Sequence, residues 1–125
     1  MIFDTDILVW IQRGNPKASE IFSEQNSRNL SILSYMELIQ CAKDKNQVRT
    51  IGKLVRDYSV DVLPLTENIG HRALIYIEEY GISSGLRAGD AITASTAVEN
   101  NLPLLSGNSK HFRFIKELDL RIFRP

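Results

Sequence analysis

Short apolar runs alternate along this chain with longer stretches whose apolar residues recur at helical spacing. MIFDT (1–5) reads as a buried strand, and DILVWIQRG then turns to helix and stops at Gly14. Pro16 suits the first turn of a helix over PKASEIFSEQN (16–26), with Ala18, Ile21 and Phe22 on one face. LSILS (30–34) predicts a second strand, followed by a helix over 34–47 whose pattern runs on through 48–58. SVDVLPL (59–65) predicts a third strand. Thr66 as N-cap and Gly81 as C-cap bound a helix over 66–81, and ISSGLRAG (82–89) reads as a loop. DAITASTAVENN (90–101) is helical, with Ala91, Ala94, Ala97 and Val98 on one face. LPLLS (102–106) and LRIFR (120–124) predict a fourth and fifth strand.

Strands alternating with helices imply crossovers between parallel strands. The expectation is an α/β fold: one domain over 1–125, an α/β/α sandwich around a mostly parallel sheet of four to five strands. In such open sheets ligands bind beyond the carboxyl ends of the strands, where the strand order reverses. Two acids, Asp4 and Asp6, stand at that end of the first strand.

Composition narrows the function classes. The formal net charge is zero, which argues against holding nucleic acid by bulk positive charge. It leaves room for a local basic patch, or for a metal that holds a phosphodiester. The single cysteine, Cys41, allows no intrachain disulfide and fits a reducing compartment. No apolar run approaches the roughly 18 residues of a membrane span, and no signal peptide opens the chain. A soluble, cytoplasmic protein is expected.

The acids recur after separate strands, whereas the strand interiors are nearly free of charge. Glu37 follows the second strand, Asp90 opens the helix after Gly89, and Ser106-Gly107-Asn108 follow the fourth strand. Carboxylates gathered on one rim repel one another unless a cation joins them. All-oxygen ligands suit Mg²⁺ or Mn²⁺, and no CxxC or HExxH spacing points to a softer metal. Each residue also fits a local role. Asp4 and Asp6 suit an N-cap or turn, Asp90 suits a helix dipole, and Ser106–Asn108 suit a turn. Ser34-Tyr35-Met36-Glu37 is a complete capping box, and capping would conflict with a site role for Glu37.

Other residues read more plainly. His71 suits a packed or surface position, and His111 a solvated loop, with phosphate contact as the alternative. Arg87 could meet RNA or solvent. Trp10, Ile11 and Phe22 suit the core or a subunit interface.

DTDILVW, SYMELIQ and GLRAGDAITASTAVENNLPLLSGNSKHF together resemble the PIN domain, and more narrowly a VapC-type toxin of a toxin–antitoxin pair. The resemblance runs from Met1 to about Phe123. It implies a metal-dependent endoribonuclease in which Asp4, Glu37 and Asp90 are catalytic and Asp4 and Asp90 hold Mg²⁺ or Mn²⁺. Ser106 and Asn108 would orient ligands or contact phosphate, with Asp6 in a supporting role. Products would carry a 5′-phosphate and a 3′-hydroxyl. Implied partners are RNA, a protein antitoxin of the VapB kind and a second copy of the chain. In the stretch Asn108–Phe112, His111 stands where many relatives carry a fourth acid, so a second metal position is open to question.

Two other classes remain. Asp4-Thr5-Asp6 has the D-x-D spacing of haloacid-dehalogenase phosphatases, but Leu8 stands where that family has Thr or Val and the downstream acidic pair is missing. A binding module without catalysis is the other.

Overall fold

Adjacent residues of a strand face opposite ways, and this protein buries both directions. The structure, a computed structural model, describes all of Met1–Pro125. In chain order the elements are β1 (Ile2–Phe3), α1 (Thr5–Gln12), α2 (Pro16–Glu24), β2 (Asn29–Ser31), α3 (Ile32–Gln40) and α4 (Lys45–Asp57). They continue with β3 (Asp61–Leu63), α5 (Glu67–Ser84), α6 (Ala88–Glu99), β4 (Leu104–Ser106), α7 (Ser109–Phe112) and β5 (Leu120–Ile122). The five strands form one sheet in the order β3-β2-β1-β4-β5, and every pair is parallel.

Ile2 and Leu104 point into one core, with Ala91, Ala94 and Ala97 of α6 and Tyr76 of α5. Their neighbours Phe3 and Leu105 point into the other, with Leu8 of α1, Phe22 of α2, Leu38 of α3 and Ile51 of α4. The small alanines let α6 lie close against the sheet. Helices therefore cover both faces, as the α/β/α expectation requires. No helix is long and apolar enough to cross a membrane.

From β1 the chain moves outward through β2 to β3, then returns to place β4 on the other side of β1. The strand order reverses between β1 and β4, and the crevice at their carboxyl ends is where this topology puts a site.

Several boundaries differ from the sequence reading, each for a local reason. The second strand ends at Ser31, whose side chain accepts from the Ser34 amide at 3.0 Å and starts α3 early. Helix 34–58 is two helices. Asp44 caps α4 by accepting from the Gln47 amide at 2.9 Å, while Gln47 Oε1 accepts from the Lys43 amide at 2.7 Å. That reciprocal pairing breaks the run after Cys41. The fifth helix runs past Gly81 to Ser84, because Gly85 supplies the left-handed residue (φ +74°) that closes it. The loop 82–89 is thus half helix, and α6 begins at Ala88 rather than Asp90. The third strand shrinks to Asp61–Leu63, and α7 was not foreseen. Phe22 is core rather than interface, 2% exposed and packed 4.9 Å from Phe3, ring centre to ring centre.

Candidate functional site

Asp4 sits at the last extended position before α1. Its Oδ1 accepts from the Thr5 amide at 2.8 Å, and Oδ2 accepts from the Ser106 hydroxyl at 2.7 Å. The cap therefore uses one carboxylate oxygen and the neighbouring strand holds the other. Ser106 is fully buried, and its Oγ also accepts from the Asn108 amide at 3.0 Å. One hydroxyl fixes both the carboxylate and the start of the next loop.

Asp6 lies in the first turn of α1, where its Oδ2 accepts from the Gly107 amide at 2.9 Å. Its Oδ1 is buried without a partner. A buried bare carboxylate oxygen costs on the order of 1–3 kcal/mol unless something positive meets it.

Glu37 is not a capping residue. Ser31 starts α3, which leaves Glu37 in the second turn, where its Oε1 accepts from Thr5 Oγ at 3.0 Å. The conflict between a cap and a site role is thereby removed. Asp90 Oδ2 accepts from the Arg87 amide at 3.3 Å near the start of α6 and also lies 3.2 Å from His111 Nδ1.

Asp4, Thr5, Asp6, Glu37, Arg87, Gly89, Asp90, Thr93 and Asn108 line one open pocket of about 360 Å³ that has no hydrophobic wall. Of the residues expected at the site, five line it, and Ser106 lies just beneath, gripping Asp4. Thr5, Gly89 and Thr93 were missed. Thr5 could have been suspected from its place between two acids; the other two follow only from the pitch of α6. His111 is not a solvated loop residue: it lies on α7, its side chain is 26% exposed, and it sits beside Asp90 and Asn108.

Burial, followed by the nearby Asp6 charge, pushes the Asp4 carboxyl up to about 7, against the bonds from Ser106 and Thr5. Burial also raises Asp6, opposed by backbone amides. The pocket is short of positive charge. Arg87 is its one cationic wall residue and is exposed.

A second concavity, lined by His71, Arg72, Tyr76, Glu99 and Glu117, is chemically quiet. Arg72 pairs with both glutamates, and Tyr76 donates to Glu117. Its charges already answer one another.

The acidic pocket suits a hard divalent cation. As they stand, no three carboxylate or imidazole groups converge into a closed cage. Mg²⁺ does not need one: it keeps several waters and is held by one or two carboxylates plus substrate phosphate. The unpartnered Asp6 oxygen and the burial that raises the Asp4 carboxyl fit such a cation.

Comparison with known proteins agrees with this geometry. No curated protein matches the chain. A toxin–antitoxin complex from Klebsiella pneumoniae is similar at 24% identity and TM-score 0.78, over 94% of this chain and 93% of that one. VapBC-1 from nontypeable Haemophilus influenzae is similar at 24% identity and TM-score 0.78, over 98% of each chain. VapBC2 from Rickettsia felis, bound to a DNA fragment from their promoter, is similar at 21% identity and TM-score 0.79, over 99% of this chain and all of that one. These likenesses establish the shared fold. The sequence pattern of the PIN domain matches residues 1–117, and the chain belongs to the PIN domain family.

Proposed function

We propose that this protein is a divalent-metal-dependent endoribonuclease and the toxin half of a protein toxin–antitoxin pair. The observation that carries the nuclease reading is the gathering of Asp4, Glu37 and Asp90, from three separate elements, around one pocket without a hydrophobic wall. Membership of the PIN family supports it. The toxin reading is supported by the likeness to the Klebsiella, Haemophilus and Rickettsia complexes.

In this reading Asp4 and Asp90 hold Mg²⁺ or Mn²⁺, which when bound polarises the scissile phosphate and makes its water more acidic. The chain's own residues do the rest. Ser106 and the Thr5 amide keep Asp4 aimed into the pocket. The Thr5 hydroxyl holds Glu37, leaving its second oxygen to take a proton from the attacking water. Arg87 meets the phosphate charge, and Asn108, also in the pocket lining, orients the substrate. With no net charge on the chain, RNA is recognised by shape and by this pocket rather than by a broad positive field.

The partners in this reading are RNA, a protein antitoxin and a second copy of the chain. Leu74, Ile75 and Ile82 stand exposed along α5 and offer apolar surface for a subunit contact.

The test is cleavage of several RNAs by the purified chain with Mg²⁺, with Mn²⁺ and with EDTA, beside Asp90→Asn. Metal-dependent cleavage that a folded Asp90→Asn lacks is expected. Equal inertness of two folded proteins favours the binding module, and phosphate release from a small generic monoester favours a phosphatase.

A further inference from the structure

We infer that α4 carries a second phosphate-binding site, a notch over Gly52 that grips the RNA backbone away from the acidic pocket. This deepens the ribonuclease reading and rests on it. Lys45, Arg49, Lys53 and Arg56 are all exposed and recur every third or fourth residue, on one face of α4. Successive charges stand about 5–6 Å apart along the helix. With Lys43 they make five of the chain's 15 Lys and Arg residues, and the one acid among them, Asp44, is engaged in capping the helix. The chain's ion pairs use Arg72, Arg121, His71 and His111, so none of the five is paired. Like charges four residues apart weaken a helix. The fold does not call for them, because α4 packs through Ile51, Leu54 and Val55.

Among these cations lies a glycine in mid-helix, where it costs stability relative to alanine. A Cβ on Gly52 would stand 3.3 Å from Arg56 Nη1 and 3.8 Å from Tyr35 Oη. The missing side chain therefore leaves a recess beside a guanidinium and a phenol hydroxyl, one charged donor and one neutral. A phosphate above Gly52 meets both, with Arg49 one turn back and Lys53 next along the chain.

Helix α3 joins this notch to the acids. Tyr35, Met36 and Glu37 follow one another around α3 in steps of about 100°. Ser34 and Leu38, which complete the turn, are buried, so these three span its outward arc. Tyr35 reaches α4, Glu37 lines the acidic pocket, and Met36 between them is 53% exposed. Notch and pocket thus lie on two sides of one helix about 10–12 Å thick, a few nucleotides of strand at about 3.4 Å each when stacked. Met36 gives a base an apolar surface on the way. A row of cations on a helix whose apolar face is spent on the core suits a phosphate backbone rather than an apolar protein segment or a lipid tail.

The experiment measures binding of a labelled twelve-nucleotide single-stranded RNA by fluorescence anisotropy in EDTA, from about 50 to about 200 mM salt. A polyglutamate peptide of the same length is titrated beside it. Arg56→Gln removes a charge, Tyr35→Phe removes a neutral donor, and Gly52→Ala fills the notch. Arg56→Gln should bind RNA about fivefold more weakly, with a log–log salt slope shallower by about 0.7. Tyr35→Phe should bind about threefold more weakly with the slope unchanged. Gly52→Ala should melt higher, since alanine is the better helix former, and still bind RNA more weakly. In cleavage with Mn²⁺, all three should raise KM and leave kcat unchanged. Parental RNA affinity and salt slope in Arg56→Gln and Gly52→Ala overturn the inference, and cleavage by the parent then keeps the nuclease reading standing. Polyglutamate that binds more tightly than RNA, and is lost in Arg56→Gln, assigns the stripe to an acidic protein and also overturns it. If the folded parent neither binds nor cleaves RNA, the ribonuclease reading falls as well.

Discussion

The Ser106 hydroxyl donates a 2.7 Å hydrogen bond to Asp4 across 102 residues of chain, tying the ends of the two central strands at the point where strand order reverses. The bond is the one side-chain contact that opposes the burial and crowding that drive Asp4 towards protonation. Ser106→Ala removes it and also leaves the Asn108 amide without its acceptor. We expect a loss of stability of about 1–2 kcal/mol and divalent-metal affinity weakened by about tenfold at pH 7. Urea unfolding and metal titration check the two effects separately.

Asp4 also sets a pH dependence. Its carboxyl is raised from 3.8 to about 7 in the folded, metal-free protein, so the native state binds this proton more tightly than the unfolded chain. The contribution to stability is therefore full below about pH 4 and is lost as pH rises towards about 7. Melting temperature in EDTA, taken as the difference between the parent and Asp4→Asn from pH 4 to pH 8, should move in favour of the variant as pH rises. At pH 8 the variant should melt a few degrees higher while losing cleavage; parallel curves would show that Asp4 is ordinary.

Glu37 and Ser31 separate site from scaffold on one helix. Ser31 caps α3, so Ser31→Ala should cost about 1 kcal/mol. Glu37 caps nothing and its side chain hydrogen-bonds only with Thr5, so Glu37→Gln should unfold within about 0.5 kcal/mol of the parent. It should nonetheless lose cleavage by about 100-fold or more if it handles the proton of the attacking water. A large stability loss in Glu37→Gln would return it to a capping role.

Gly107 touches the site through its lack of a side chain. A Cβ there would stand 2.9 Å from Asp6 Oδ2 and 3.4 Å from the Phe123 carbonyl. Gly107→Ala should push Asp6 off the Gly107 amide, at a cost of about 1–2 kcal/mol, and weaken cleavage with it. Chemical denaturation beside an RNA cleavage assay reads both, and an unaffected variant would mean Asp6 moves freely.

Much of this protein is written locally. Alternation of apolar runs with helical periodicity specifies the α/β order, because strands buried on both faces must be apolar throughout whereas helices need only one apolar face. Asp4, Asp6, Glu37, Asp90, Ser106 and Asn108 were legible as candidates because polar groups recur where strands end. Local pattern went wrong where two caps competed: Ser31 and Ser34 both suit a helix start, and only the end of strand pairing at Ser31 decides for the first. It also failed at Gly81 and Gly85, since either can close a helix and packing chose the second. Tertiary structure alone decided that Thr5 holds Glu37, that Ser106 holds Asp4 and that His111 meets Asp90. These partners lie 32, 102 and 21 residues apart, and no periodicity carries distance across a sheet. Sequence supplied the groups and the places where elements begin and end; the order of the strands brought those ends to one rim.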